Sequence, residues 1–272
     1  DEDDFEIGLN YKNKYNEPMQ HCEYLQREQL EQVNPHISTA FKHAIHFPQL
    51  ANVRNPRLLK SLTAYLKQHP KVHIYENMWI DEFKIQQGKI QSIQAQNGQK
   101  FAADQFVIAT GAWSNHWSKQ LHFQIPVEPV QGQMLLFKTP ENRLPTMCMN
   151  QVMYLIPRLD GHVVCGSSMN HLGFEHRPSV QTQQNIYKAC TEIIPELANF
   201  PIVKQWAGLR PSSPRGIPYI GQMPNIYNLW ANFGHYRNGL CMGPSSAKLL
   251  RQLMLKQPTS LNPTAYSPLQ LI

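Results

Sequence analysis

Residues 206–243 read WAGLRPSSPRGIPYIGQMPNIYNLWANFGHYRNGLCMG, and this stretch governs the reading of the whole chain. Two arginines, Arg210 and Arg237, each close an apolar, strand-like segment in a Gly/Pro-rich setting. An arginine on a rigid element beside a backbone bend is placed to hold a carboxylate through two parallel N–H···O bonds. The second bend, residues 233–243, carries Gly234, Gly239 and Gly243 and leads into a helix. Glycines let the main chain come close to a flat ligand, and a helix N-terminus favours negative charge. On residue types alone the same stretch reads equally well as a hairpin and a helix entry, with both arginines on the surface.

Outward from there, strand signals dominate. Asn55-Pro56 predicts an N-cap followed by proline at the first helical position, and Leu58, Leu59, Leu62, Tyr65 and Leu66 keep helical spacing up to His69-Pro70. Residues 72–75, 80–85, 89–95 and 106–109 are predicted strands, with Gln87-Gly88 and Asn97-Gly98 as turns. Residues 127–137 form a long strand, and 154–157 pairs with 162–166 around Asp160-Gly161. Ser179 is expected to cap a helix that runs toward Ile194-Pro195. Residues 203–210 and 227–233 are further strands, and Ser245 or Ser246 opens the last helix. Long antiparallel strands with few helices are not a plain βαβ series, so the fold class is mixed α+β and α/β.

Composition narrows the function classes. Of 272 residues, 42 % are hydrophobic and 16 % charged, which suits a globular chain with an ample core. No apolar run of about 18 residues predicts a membrane span. The net charge is +6, but lysines and arginines are dispersed, with no basic run or basic helix face, so nucleic acid is not the expected partner. Anionic ligands would benefit from such a field, though a solvated surface needs no such reason. The five cysteines are scattered and lack C-x-x-C; the twelve histidines form no H-E-x-x-H. Neither a disulfide framework nor a metal site is expected, and the cysteine pattern suits a reducing cytoplasm.

Four segments, in order, carry a family resemblance: FVIATGAWS (106–114), PVEPVQGQMLLF (126–137), YLIPRLDGHVVCGSSM (154–169) and residues 206–243 with WAGLRP and GHYRNG. Together they resemble the amine-oxidising flavoproteins of the D-amino-acid oxidase family. The nearest branch is that of the glycine oxidases, which supply the imine in bacterial thiamine biosynthesis. The resemblance spans nearly the whole chain. It implies a two-domain architecture in which residues 1–48 and 118–205 form the substrate domain. Residues 49–117 and 206–272 would then belong to the FAD domain.

The resemblance also assigns roles. Arg210 matches the carboxylate-binding arginine, and Arg237 a second residue that reaches substrate. Tyr154 matches the hydroxyl that hydrogen-bonds the carboxylate, and Met169 a residue on the substrate side of the flavin. His235, Tyr236, Arg237, Asn238, Gly239, Leu240 and Cys241 match the loop whose amides meet the flavin ring. Ile80 matches a strand residue on the adenine side, and Thr110 and Gly111 pass near the dinucleotide. Val152 stands where the glycine oxidases often have histidine, a departure that bears on the substrate. Oxidation of an amino acid by flavin needs mainly positioning, because the isoalloxazine does the hard chemistry. The implied reaction takes glycine, or a small D- or N-substituted amino acid, to its imine while oxygen becomes hydrogen peroxide. A homo-oligomer is common in the family, though no sequence feature fixes its number.

One family element has no counterpart here. Such enzymes open with a strand, G-x-G-x-x-G and a helix that receive the pyrophosphate. No G-x-G-x-x-G occurs, and the sequence begins DEDDFEIGLN. The expectation is that about a quarter of a full-length enzyme precedes Asp1, a proportion drawn from the usual size of a two-domain chain. The alternatives are a D-amino-acid dehydrogenase with another electron acceptor and a non-catalytic, carboxylate-binding chain.

Overall fold

A computed structural model of the chain describes Glu6 and residues 22–271. The start of the expected first substrate-domain segment, residues 1–5 and 7–21, lies outside the described residues. Along the chain, β1 (Glu23–Gln26) leads into α1 (Arg27–Val33), followed by β2 (His43–His46) and α2 (Asn55–Gln68). A hairpin of β3 (Ile80–Gln86) and β4 (Lys89–Ala95) is joined by β5 (Lys100–Phe101), then β6 (Phe106–Ile108) and the short α3 (Ser118–Leu121). The long β7 (Glu128–Lys138) precedes β8 (Cys148–Met149), β9 (Tyr154–Pro157), β10 (His162–Gly166) and α4 (Val180–Ile193). Last come β11 (Ile202–Ser212), β12 (Tyr219–Gln222), β13 (Leu229–Phe233) and α5 (Gly239–Met254).

These elements form two compact units. The first comprises Asp1–Val53, Gln131–Asn170 and Glu175–Gly208; the second comprises Arg54–Val130, His171–Phe174 and Leu209–Ile272.

The first unit is built on a five-stranded sheet in the order β11-β7-β10-β9-β8. Strand β10 is antiparallel to both neighbours, with Gly166 opposite Met134 on one side and Tyr154 on the other. Strand alternation sends Leu135, Phe137, Leu155, Val163 and Cys165 to one face, where each is at most 1 % exposed. Ile186, Cys190 and Ile193 of α4 cover that face. Ser179 caps this helix as expected, its hydroxyl accepting from the Thr182 N–H. The β9–β10 turn needs glycine at 161. Its φ is +78°, and a Cβ there would lie 2.3 Å from the Thr139 carbonyl oxygen. All five cysteines are free thiols, and burial pushes Cys148 up to about 11, so it stays protonated.

The second unit holds two three-stranded sheets, β3-β4-β5 and β12-β13-β6. In the latter, β13 runs parallel to β6 and antiparallel to β12. Ile90, Phe106, Ile108, Leu229, Ala231 and Phe233 share one core cluster. Phe83 stacks on Trp117 at 4.2 Å within it. Asn228 joins the sheets: its buried amide accepts from Ile90 N (2.8 Å) and donates to Ile90 O (2.9 Å). Helix α5 lays Leu249 and Leu250 against Ile220 of β12.

Three sequence expectations need correction. Residues 72–75 form no strand, because no described strand runs alongside to take up their backbone hydrogen bonds. Helix α2 takes Arg54, not Asn55, as its N-cap. Helix α5 begins at Gly239 rather than near Ser245, and it carries Pro244 inside it. Neither Gly239 nor Gly243 takes a positive φ, so both continue the helix ahead of the serines.

Candidate functional site

In the second unit, Arg210 lies half-buried near the end of β11. Immediately beyond, the chain turns at Ser213, whose hydroxyl donates to Ile217 O (2.9 Å), and Gly216 N donates to Ser213 O (3.0 Å). Strand β13 then ends at Gly234, where φ is +81°. A Cβ on Gly234 would sit 3.4 Å from Ser213 Cβ and 3.5 Å from Tyr219 Cδ2, so the loop after β13 passes directly by the turn that follows Arg210. Tyr236 approaches the same turn at Gly216. The structure thus brings the Arg210 strand end and the Arg237 loop together. Arg237, Asn238, Leu240 and Cys241 are exposed on that loop and the first turn of α5, with Gly239 half-buried between them.

The loop is tightly wound. Tyr236 takes φ +49°, a left-handed conformation that is uncommon for a bulky residue and clusters at functional sites. A single 3-10 turn, Tyr236–Asn238, feeds α5. That helix has no side-chain N-cap and no acidic residue in its first turn. No side-chain cap and no first-turn acid therefore competes for its positive end.

His235 supports this entry from behind. Its Nε2 lies 2.9 Å from the Ser246 hydroxyl, and that hydroxyl donates to Met242 O (2.9 Å). A hydroxyl that has spent its proton on Met242 must accept from His235, so the imidazole carries its proton on Nε2. Burial lowers the His235 pKa below the ordinary 6.5 by penalising the imidazolium. The folded protein then binds this proton less readily than the unfolded chain. Its stability contribution is complete above the unfolded value and is lost as pH falls through the lower folded value. The expected result is a melting temperature that drops as pH falls below the ordinary histidine value of 6.5. His235→Gln, which keeps a donor toward Ser246, should flatten the drop; an equally steep profile in both proteins contradicts the assignment.

Ile80, expected on the adenine side, and Thr110, expected near the dinucleotide, line one apolar cavity of about 220 Å³ with Trp79, Phe106, Trp113 and Trp117. Gly111 follows Thr110 with φ +54° and open space where a Cβ would stand. In the first unit, Tyr154 of β9 donates its hydroxyl to Met134 Sδ (3.3 Å). A thioether is a weak acceptor, so the hydroxyl is readily recruited by a stronger one such as a carboxylate. Met134 lies across β10 from Tyr154, over Gly166, a placement that no single-sequence signal reveals. Met169, 55 % exposed, follows β10. Among the described residues no group of three or more His, Cys, Asp or Glu side chains is placed to hold a metal, and no helix is long and apolar enough to cross a membrane.

Residues 1–253 match the family described as DAO, FAD dependent oxidoreductase. The chain belongs to the FAD dependent oxidoreductase family. It is 43 % identical to the glycine oxidase of Pseudomonas putida over 86 % of its own length and 64 % of the relative's. To the glycine oxidase of Pseudomonas aeruginosa it is 37 % identical, over 98 % of this chain and 72 % of that one. The chain therefore spans about two thirds of the length of these relatives. The fold superimposes on the crystal structure of glycine oxidase from Geobacillus kaustophilus with TM-score 0.87 and 23 % identity, covering 97 % of this chain and 70 % of that one. The family's cofactor is FAD. The residues present fit its flavin side: a glycine-bearing loop with a left-handed tyrosine, leading to an uncapped helix N-terminus free of acids. Ile80 and Thr110 line a common cavity, and Gly111 beside them leaves open space.

Proposed function

We propose that this chain carries the substrate grip and flavin loop of an FAD-dependent amino-acid oxidase acting on glycine or a small D- or N-substituted amino acid. The observation that carries the reading is the approach of the Arg210 strand end to the Arg237 loop ahead of the uncapped α5. When bound, FAD accepts the two electrons and the hydrogen that leave the amine carbon. Arg210 holds the substrate carboxylate through two charge-assisted hydrogen bonds. Arg237 adds positive charge at the same end, and residues 235–241 hold the flavin through backbone amides. Tyr154 and Met169 are the substrate-side residues of the first unit. Ile80, Thr110 and Gly111 meet the dinucleotide. By the same reading, residues 1–48 and 118–205 form the substrate domain, and the protein works in the cytoplasm as a homo-oligomer.

Glycine loses two electrons and two protons to become the imine, and oxygen takes up two electrons and two protons to become hydrogen peroxide. The identity to two glycine oxidases supports glycine as the first substrate to test. The experiment is peroxide detection during glycine turnover by the flavin-bound enzyme under air. Stoichiometric peroxide supports the oxidase. Turnover only with an artificial electron acceptor, without peroxide, overturns it in favour of a dehydrogenase.

A further inference from the structure

The core of the first unit contains a polar ladder that amine oxidation does not by itself require. Gln131 and Gln133 lie on β7 and are 0 % and 1 % exposed. A buried primary amide is costly unless both of its ends are paired, and here both are. Gln131 Nε2 donates to Glu175 O (2.8 Å) and Arg177 O (3.3 Å). Gln131 Oε1 accepts from Gln133 Nε2 (2.8 Å) and Asn170 Nδ2 (3.1 Å). Gln133 Oε1 accepts from Ser179 N (3.0 Å) and Gln205 Nε2 (3.1 Å). The backbone adds to the ladder: Gln131 and Asn170 exchange two N–H···O bonds of 2.9 Å, and Gln133 N donates to Ser168 Oγ (3.0 Å).

The ladder has two destinations. One is the segment 168–170 that leaves β10; the other is the segment 175–179 that enters α4. Neither belongs to a named strand or helix, and apolar burial does not anchor them, since Met169 is 55 % exposed and Arg177 lies at the surface. Leucine at 131 or 133 would fill the same core with a smaller desolvation penalty. Paired amides instead specify one position for the segments they hold. Gln205 ties the ladder to β11, the strand that continues to Arg210.

We infer that Gln131 and Gln133 are positioning residues for the substrate: the Gln133 amide braces the Gln131 amide, which holds Asn170 and so fixes segment 168–170 with Met169 where it meets the amine. This rests on the proposed amine oxidation. Met169 contributes binding held alike in ground and transition states, so losing its position weakens binding more than chemistry.

The test uses the flavin-bound enzyme and compares wild type, Gln133→Leu, Met169→Ala and the double variant. In Gln133→Leu, KM for glycine rises about tenfold while kcat stays within about twofold. Amide exchange quickens at residues 168–170 and at Ser179, while Leu135 and Val163 stay protected. The double variant is no worse than Met169→Ala alone, because both changes act through one side chain. With an active wild type, an unchanged KM or effects that multiply in the double variant overturn the inference. A wild type that does not oxidise glycine overturns the functional reading instead, and the exchange data still report whether the ladder holds the segment. Should Gln133→Leu not fold, Gln205→Leu removes a single rung, with KM expected to rise about threefold and an unchanged KM again overturning the inference.

Discussion

Arg210→Ala should lower kcat/KM for glycine about a hundredfold or more, the loss of a charged hydrogen-bonded pair on the order of 3 kcal/mol. The size follows from the setting. Arg210 is half-buried near the end of a long strand, and the turn after it is pinned by two hydrogen bonds through Ser213. A guanidinium carried on so rigid an element would lose little freedom when a carboxylate binds. Arg210→Lys separates charge from geometry, because an ammonium keeps the charge but not the planar fork. Lysine should recover only a minor part of the loss. Steady-state kinetics with glycine decide the point, and wild-type kinetics in Arg210→Ala contradict the role.

Phe137→Ala should cost about 3–5 kcal/mol of stability, the range for emptying a large aromatic site in a packed core. Phe137 is fully buried on β7, opposite Val163, and stacks on Tyr187 of α4 at 6.1 Å between ring centroids. Removing it opens a cavity between the sheet and the helix that Ser179 caps, and neither backbone can readily move to fill it. The melting temperature should fall by roughly 10 °C for a chain of this size. Denaturant titration checks the value; a loss below about 1 kcal/mol would mean that the core repacks around the gap.

Much of the architecture was legible because its signals are local. Gln87-Gly88 turns the β3–β4 hairpin, Asp160-Gly161 turns β9 into β10, and Ser179 caps α4. Each outcome depends on a few neighbouring residues. The misreadings share a different cause. Residues 72–75 have strand composition, but a strand exists only with a partner, and pairing is not local. The helix after Asn238 absorbs glycines and a proline whose usual meaning is a break, because the turn before it delivers the chain already in helical geometry.

The candidate site divides in the same way. Arg210 and Arg237 stood out through their motifs, and the structure adds the approach of Gly234 to Ser213 that brings their segments together. Met134 under the Tyr154 hydroxyl and the amides of Gln131 and Gln133 carry no sequence signal, since their partners come from distant parts of the chain. A glutamine on a strand reads as a solvent-facing residue until its neighbours are known.

The most direct measurement is the visible spectrum of the purified flavin-bound protein before and after glycine is added without oxygen. The account predicts that the flavin's blue absorption band bleaches on addition and returns when air is admitted. A flavin band that glycine and small D-amino acids leave unchanged would contradict it.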